Sequence, residues 1–398
     1  MTPALLRAKD HALKLPVYLD NAATTPIDPR VVDAMLPFLR EHFGNPASST
    51  HEYGKVARRA VEQARDQVAA LVNADARDIV WTSGATESNN LAIKGIARAR
   101  GKRGHIISVQ TEHKAILDTL NALEREGYEV TLLAPQPDGL VSIEALRNAL
   151  RPDTLLASVM LVNNEIGVIQ DVAALGAACR ERGVPLHVDA AQATGKVAID
   201  LSRLPVDLMS LTAHKTYGPK GIGALYVRRD SRLRLQPEIH GGGHERGLRS
   251  GTLATHQIIG MGACYDIARA EMDEEIPRLR ALRDRLWSSL SDLPEIRVNG
   301  SMTQRIANNL NITLVSPQCD SLLDAITDVA LSSTSACSSA SGGQSHVLQA
   351  LGAGAAEGVA MRITVGRFNT GEDIDYAASY LRRSIIACRS GETLAAAG

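Results

Sequence analysis

Short β-branched or apolar runs alternate with stretches of helical periodicity from Val17 to about Tyr226. Strand, helix and strand in repeated succession is typical of a mostly parallel sheet with helices on both faces, joined by right-handed crossovers. The predicted strands are Ile79–Thr82, His105–Val109, Glu129–Leu133, Leu155–Leu161, Pro185–Val188, Leu208–Thr212 and Gly223–Val227. The predicted helices are Lys55–Leu71, Thr86–Arg100, Ala115–Glu126, Ile143–Leu150 and Val172–Arg182. This alternation assigns the larger part of the chain to the α/β class.

The pattern changes after about Thr255 and indicates a second, smaller α+β domain. A chain of 398 residues, of which 44% are hydrophobic, is long enough to form two cores. The predicted elements of this part are a helix at Ala268–Leu293, strands at Asn309–Val315 and Ala360–Val365, and a last helix from about Glu372. We therefore predict a large domain at residues 17–260 and a small domain formed by residues 1–16 and 261–398.

The overall charge does not indicate a polyanionic partner. The formal net charge is −1, so neither nucleic acid nor an anionic membrane is expected as the principal partner. No run of about 18 apolar residues is present to span a bilayer. Met1–Pro16 mixes charged residues among short apolar stretches, unlike a signal peptide, and a cytoplasmic location is expected. The five cysteines are widely spaced, which indicates neither a disulfide framework nor a metal site.

Candidate ligand-binding residues follow the predicted strands, because ligands of open α/β sheets bind at the carboxyl ends of the strands. The strand Ile79–Thr82 runs into Ser83–Ser88, where a glycine turn opens a helix. The free N–H groups and the positive dipole end of such a helix favour an anion, and Thr86 adds a hydroxyl. Taken alone, the motif is also that of a common structural helix cap.

Two charged residues stand at the ends of later strands. Asp189 follows Pro185–Val188, and a carboxylate beside an apolar core needs a cationic or protonated partner, unless it is a helix cap or half of a structural ion pair. Lys215 follows Leu208–Thr212, where partial desolvation favours the neutral amine that Schiff-base chemistry needs. Pyridoxal phosphate requires a lysine for its aldehyde, an acid for its ring nitrogen and a helix N-terminus for its phosphate. The three features together indicate a pyridoxal-phosphate site.

Seven short motifs are spread over nearly the whole chain, at Tyr18–Thr25, Phe43–Pro46, Thr82–Ser88, Thr111–Lys114, Val162–Gly167, Gly241–Gly247 and Gly366–Phe368. Together they resemble the cysteine desulfurases, which are fold-type I pyridoxal-phosphate enzymes related to the aminotransferases. The resemblance is strongest to the housekeeping group that serves iron–sulfur cluster assembly and tRNA thiolation. It implies a homodimeric fold-type I transferase, in which a large domain with a mostly parallel seven-stranded sheet binds the cofactor.

The resemblance also implies the reaction and the residues that carry it. L-cysteine would be the substrate, L-alanine one product and a persulfide on Cys337 the other. Lys215 would hold pyridoxal 5'-phosphate and act as a base, and His113 is an acid–base candidate towards the thiol. Asn164 and Arg362 would bind the substrate carboxylate, a task that suits a guanidinium fork. The implied cofactor contacts are Ala85, Thr86, His113, Asn164, Asp189, Gln192, Thr212, His214, Lys215 and, from the partner subunit, Thr252.

Cys337 stands in the Ser-, Ala- and Gly-rich stretch Ser332–Ser345, without apolar neighbours at helical or strand spacing. This composition is typical of a mobile surface loop, from which a cysteine can reach first the substrate and then an acceptor. The implied acceptors are an iron–sulfur scaffold or a tRNA-thiolation protein. No metal site is expected in the chain itself, although Cys337 could transiently contact an iron–sulfur cluster on such a partner.

Several alternatives stay open at the level of sequence. Cys337 could be an incidental loop cysteine, His113 an ordinary helix cap and Arg362 half of a structural ion pair. A selenocysteine lyase or an aminotransferase of the same fold would need no loop cysteine, and a non-catalytic sulfur-transfer scaffold would need no cofactor. Only Arg389–Gly398 follow the last predicted helix, where housekeeping relatives have a longer tail for docking the scaffold. The sequence therefore predicts neither the acceptor nor the pathway.

Overall fold

The computed structural model describes residues 13–101, 103–229, 233–316, 319, 321–333, 345–352 and 358–390. The strands are β1 Val17–Tyr18, β2 Ile79–Thr82, β3 His105–Val109, β4 Glu129–Leu133, β5 Thr154–Met160, β6 Leu186–Asp189, β7 Leu208–Thr212, β8 Gly223–Val227, β9 Ile296–Val298, β10 Asn309–Leu314, β11 Val329–Ala330, β12 Ser332–Ser333 and β13 Val359–Thr364. The α-helices are α1 Pro29–Arg40, α2 Glu52–Leu71, α3 Ala85–Ala99, α4 Lys114–Arg125, α5 Ile143–Ala149, α6 Val172–Glu181, α7 Thr255–Ser288, α8 Leu322–Ala325, α9 His346–Ala350 and α10 Gly371–Ser390.

The main sheet has seven strands in the order β2–β8–β7–β6–β5–β3–β4. The five strands from β7 to β4 are parallel, and β8 runs antiparallel to both β2 and β7. This arrangement confirms the predicted α/β fold with a mostly parallel seven-stranded sheet. Five of the predicted strands have the observed bounds, whereas β5 and β6 are each displaced by one residue. Asp189 is therefore the last residue of β6 rather than the first residue after it.

Helices cover both faces of this sheet, because successive side chains of a strand point to opposite faces. In β3, Ile106 lies in a hydrophobic core with Leu91 of α3 and Leu120 of α4. Its neighbour Ile107 lies in another core, which includes Val68 of α2. Burial on both faces is typical of parallel sheets and leaves the strand ends as the accessible part.

Helix α7 begins earlier than the sequence predicts, at Thr255 instead of Ala268. Its first turns contain Gly260 and Gly262, and glycine usually weakens a helix. Here the two glycines let neighbouring helices approach closely. A Cβ at Gly260 would come within 2.6 Å of the sulfur of Met35, and a Cβ at Gly262 would come within 2.7 Å of Ala64 Cα. Packing against α1 and α2 therefore outweighs the intrinsic preference of the two glycines.

A second core surrounds a four-stranded antiparallel sheet of order β12–β13–β10–β9, with α10 and the last turns of α7 packed on it. Val17 and Leu19 belong to this second core, and β1 pairs in parallel with β11. The division at residue 260 stays a prediction, but these two residues pack with the smaller unit although the predicted large domain begins at Val17. Among the described residues, no helix is both long and apolar enough to cross a membrane.

Candidate active site

A cavity of about 720 Å³ lies at the carboxyl ends of β5, β6 and β7 and beside the start of α3. Its volume is typical of small-molecule sites. The cavity brings together ten of the residues predicted from the sequence: Ala85, Thr86, His113, Asn164, Asp189, Gln192, Thr212, His214, Lys215 and Arg362. The fold thus gathers side chains that are up to 277 positions apart in the chain, from Ala85 to Arg362.

The start of α3 forms one end of the cavity. Gly223 of β8 lies so close to this helix start that a Cβ there would come within 2.6 Å of Gly84 Cα. The first N–H groups of a helix have no acceptor within the helix and so favour an anion. The carboxylate of Glu87 is already hydrogen-bonded elsewhere: it accepts a bond of 2.7 Å from the N–H of Ser83 and one of 2.8 Å from Arg249 Nε. Arg249 thereby neutralises the only carboxylate in the first turn of α3.

Asp189 is buried at the end of β6 and is held by two uncharged donors. Asn89 Nδ2 donates to its Oδ2 over 2.8 Å, and the N–H of Ala191 donates to its Oδ1 over 2.9 Å. The sequence analysis did not identify Asn89. Its position one turn after Ala85 on α3 places it beside the same cavity, which is the signal that could have identified it.

Two neutral histidines line the cavity near Lys215. His113 caps α4, because its Nδ1 accepts a bond of 3.0 Å from the N–H of Ala115. Burial, followed by the charge of Lys215, lowers the pKa of His113. The same two causes lower the pKa of His214 to about 4. Both rings are therefore neutral at neutral pH, and in the neutral form of His113 the proton lies on Nε2. His113 therefore caps a helix, which was the alternative to a role in the site, and it also lines the cavity.

Lys215 lines the cavity on the segment that follows β7. Its carbonyl accepts a bond of 3.1 Å from Lys196 Nζ, which also donates to the carbonyl of Gln192 over 3.3 Å. On the other side, the carbonyl of His214 accepts from the N–H of Thr25 over 2.9 Å. Burial, followed by the charge of Lys215, lowers the pKa of Lys196 to about 7. The backbone of Lys215 is thus held between the segment after β6 and the N-terminal motif.

Three buried amide oxygens on residues that line the cavity lack a hydrogen-bond partner within the described part of the chain, and they belong to Asn89, Asn164 and Gln192. Gln192 uses its Nε2 to donate to the carbonyl of Ala22 over 2.8 Å, and its Oε1 is left without a donor. Asn164 Oδ1 is in the same situation. Because buried polar atoms are nearly always hydrogen-bonded in native proteins, these three oxygens indicate donors supplied by a ligand.

Arg362 reaches the cavity from β13. Its Nη1 donates to the carbonyl of Asn164 over 3.0 Å, and its Nη2 donates to Asp20 Oδ1 over 2.8 Å and to Ser332 Oγ over 3.1 Å. The ion pair with Asp20 agrees with the alternative interpretation of Arg362. The sequence analysis assigned no role to Asp20, which lies in the N-terminal motif and also lines the cavity.

The two remaining predicted residues are Thr252 and Cys337. Thr252 is exposed and does not line the cavity of its own chain. Cys337 lies outside the described residues. Described residues before and after Cys337 in the chain lie near the cavity. Ser332 accepts a bond from Arg362, and the hydroxyl of Ser345 donates to Oε2 of Glu165, which is next to Asn164 in the sequence. No group of three or more His, Cys, Asp or Glu suited to a metal occurs within the ranges that the structure describes.

Comparisons with known proteins agree with the sequence motifs. The model of the class V aminotransferase family matches residues 17–377. Cysteine desulfurase IscS of Methylobacillus flagellatus is 60% identical over 376 residues, which cover 94% of this chain and 93% of that protein. A solved NifS-like protein is 35% identical with a TM-score of 0.85, and the match covers 94% of this chain and 99% of that one. SspA in complex with cysteine is 37% identical with a TM-score of 0.80, covering 89% and 99%. The chain therefore belongs to the class V aminotransferase family and, within it, to the cysteine desulfurases of the IscS group.

Proposed function

We propose that the chain uses pyridoxal 5'-phosphate to take sulfur from L-cysteine, releases L-alanine and keeps the sulfur as a persulfide on Cys337. The main support for the proposal is that Lys215, Asp189 and the start of α3 line one cavity. The solved complex of SspA with cysteine supports the choice of substrate, since that protein is 37% identical to this chain.

The residues of the cavity fit pyridoxal phosphate. Gln192 Oε1 is buried without a donor, which a ring oxygen bearing a proton would supply. The start of α3, with Ala85, Thr86, Thr212 and His214, suits a phosphate, to which Thr252 of the partner subunit would add a further hydroxyl. Asp189, which is held by uncharged donors, would pair with a protonated ring nitrogen. When bound, the cofactor supplies an electron sink and an aldehyde that Lys215 would hold.

Each side chain then has a defined task in the reaction. Lys215 removes the Cα proton of the substrate and later returns a proton. Asp189 keeps the ring nitrogen protonated, which favours the loss of the Cα proton. Asn164 and Arg362 hold the substrate carboxylate, Asn164 by donating from its amide nitrogen Nδ2 and Arg362 by donating from Nε, which is buried without a partner in the described part of the chain. His113 has Nδ1 bound to Ala115, so its Nε2–H is the group that can stabilise a thiolate.

Cys337 would carry out the transfer of sulfur. Its thiolate attacks the sulfur of the substrate, the S–S bond of the persulfide forms and the C–S bond breaks. The electron pair of that C–S bond stays with the carbon skeleton, which takes up a proton and leaves as alanine. Cys337 follows Ser332 by five residues, so a chain of about 3.3–3.6 Å per residue spans at most about 18 Å from a residue that lines the cavity. A thiol needs help to ionise at neutral pH, which His113 or the substrate would give.

A homodimer is supported by exposed apolar side chains at the end of α1, in the segment after it and at the start of α2. Phe43 is 71% exposed, Tyr53 58% and Leu39 54%, and the rings of Phe43 and Tyr53 stack at 5.5 Å. Contiguous apolar surface of this kind is typical of protein contacts. A second copy of the chain would cover it and would bring Thr252 to the partner's cavity.

We further propose that the persulfide passes to an iron–sulfur scaffold or to a tRNA-thiolation protein in the cytoplasm. The support is the group to which the chain belongs and the net charge of −1, which favours protein acceptors over direct binding of nucleic acid or membrane. Any iron–sulfur cluster that Cys337 contacts would belong to the acceptor.

The proposal is tested by measuring alanine and sulfide released from L-cysteine with a reductant present. Wild type should form both, Lys215→Ala should form neither, and Cys337→Ala should retain the cofactor absorbance but form no sulfide. Cys388→Ala is the matched cysteine control and should behave like wild type. Full turnover by Cys337→Ala would identify a lyase that needs no loop cysteine. A protein that gains no cofactor absorbance with pyridoxal phosphate would be a scaffold instead.

A further inference from the structure

The guanidinium of Arg362 already has anionic and polar partners inside the cavity. The Nε and Nη2 groups of an arginine form one planar edge that can bind a carboxylate through two parallel bonds. At this edge, Nη2 donates to Asp20 Oδ1 over 2.8 Å and to Ser332 Oγ over 3.1 Å. Nε is buried without a partner in the described part of the chain. Asp20 therefore occupies half of the edge that a substrate carboxylate would use.

The backbone holds Asp20 in this place. Asp20 forms a parallel bridge with Thr364, two residues after Arg362 in β13. On either side of it, the N–H of Thr364 donates to the carbonyl of Leu19 over 2.7 Å, and the N–H of Ala22 donates to Thr364 Oγ1 over 2.9 Å. The side chains of Asp20 and Arg362 are only 18% and 7% exposed. Asp20 thus has little freedom to leave the cavity when a ligand enters.

We propose that Asp20 determines which amino acids the cavity accepts: it keeps Arg362 partly neutralised and places a fixed negative charge beside the bound substrate, so that amino acids with a second acidic group are disfavoured. The inference rests on the proposed function and refines its substrate class to amino acids with one carboxylate and an uncharged side chain.

The physical reason is the balance of charge around Arg362. One guanidinium can compensate the charge of one carboxylate, and Asp20 already uses part of the positive charge of Arg362. The α-carboxylate of a neutral amino acid can still bind through the free Nε and share Nη2. A second carboxylate or a sulfinate on the side chain would bring a third negative charge into a small, partly desolvated space, where like charges repel strongly.

Aspartate and asparagine provide a pair of probes that have nearly the same shape and differ in charge. Their dissociation constants are measured from the absorbance change of the holoenzyme during titration with each amino acid. Asp20→Asn keeps an oxygen that accepts from Nη2 but removes the charge. We expect this variant to bind aspartate about tenfold more tightly relative to asparagine than wild type does, corresponding to one unit of log K. Asp20→Glu keeps the charge and should retain the wild-type ratio within about twofold.

The outcomes separate the inference from the proposed function. An unchanged aspartate-to-asparagine ratio in Asp20→Asn would overturn the inference, and so would an equal loss of affinity for both ligands, since Asp20 would then only position Arg362. If Asp20→Asn does not fold, as judged by its melting curve, Asp20→Ser serves as a second neutral variant with the same expected ratio. Turnover of cysteine by the wild type reports on the proposed function independently of these ratios.

Discussion

Asn89 Nδ2 lies 2.8 Å from Asp189 Oδ2 and joins the first turns of α3 to the end of β6. The bond is buried, and it fixes the carboxylate that would face the ring nitrogen of the cofactor. The same helix begins at the proposed phosphate site, so one element sets the distance between the two ends of the cofactor. This relationship gives the first prediction.

Removing the amide in Asn89→Ala leaves Asp189 with the single N–H bond from Ala191. Hydrogen bonds to charged groups contribute about 1.5–3 kcal/mol, so affinity for pyridoxal phosphate should fall about tenfold to a hundredfold. The measurement is a titration of the apoprotein with the cofactor, followed by absorbance. Asn90→Ala is the matched control, because Asn90 donates only to the carbonyl of Thr86 within the same helix. Equal affinity in the two variants would contradict the role of Asn89.

The buried pair of Arg65, on α2, and Glu245, in the segment between β8 and α7, should contribute strongly to stability. Arg65 donates to Glu245 over 2.7 Å and 2.9 Å, and Glu245 Oε2 also accepts from the N–H of Trp81 over 2.9 Å. Glu245→Ala leaves a guanidinium buried without its main counter-charge, which typically costs about 3–5 kcal/mol. Urea denaturation should show this loss. Glu52→Ala, which breaks the exposed pair with Arg59, should leave the denaturation midpoint unchanged.

Glu165 should make stability depend on pH between about 4.5 and 7. Burial raises the pKa of Glu165 to about 7, although the Ser345 hydroxyl and the charge of Arg362 act in the opposite direction. In this window the folded chain retains a proton that the unfolded chain has lost, so the free energy of unfolding falls as the pH rises. Glu165→Gln cannot ionise and should gain about 1–3 kcal/mol relative to wild type between pH 5 and pH 8.

Urea denaturation at pH 5 and at pH 8 measures how the free energy of unfolding of wild type and of Glu165→Gln changes with pH. The control is Glu181→Gln, since Glu181 is 60% exposed and should show the pH dependence of wild type. If wild type and Glu165→Gln change in parallel between pH 5 and pH 8, burial does not raise the pKa of Glu165 to about 7.

Phe43 and Tyr53 should lie at the subunit contact. Phe43→Asp places a charge in the exposed apolar patch, and burying that charge between subunits is costly. We expect sedimentation to shift from dimer to monomer, together with a loss of cysteine turnover because Thr252 no longer reaches the partner. Ile386 on α10 is also exposed, at 43%, and Ile386→Asp should remain dimeric. A monomeric wild type would contradict the proposed assembly.

The strands and the cavity residues could be predicted because their signals are local. Five strands have the predicted bounds, since each apolar run is bordered by residues that end it. Asp189 and Lys215 were identifiable because they stand at the carboxyl ends of strands, where ligands of parallel sheets bind. Tertiary packing determined what was missed: the early start of α7 depends on α1 and α2, and the pairing of β1 with β11 joins residues more than 300 positions apart.

The contacts of Asn89 and Asp20 could not be predicted from the sequence, because they also depend on tertiary structure. Asn89 and Asp20 look like ordinary polar residues of a helix and of an N-terminal segment. Their contacts with Asp189 and Arg362 exist only once β6 and β13 are in place. Thr252 depends on a second subunit, and Cys337 lies outside the described residues, so their assigned roles stay predictions.

The most direct test of the account is the location of the transferred sulfur. The holoenzyme is incubated with L-cysteine without reductant, free thiols and persulfides are alkylated, and the peptides are analysed by mass spectrometry. The account predicts one extra sulfur atom on the peptide that contains Cys337 and none on the peptide with Cys388, with alanine formed in equal amount. Alanine formation with Cys337 unmodified, or with the sulfur on another cysteine, would contradict it.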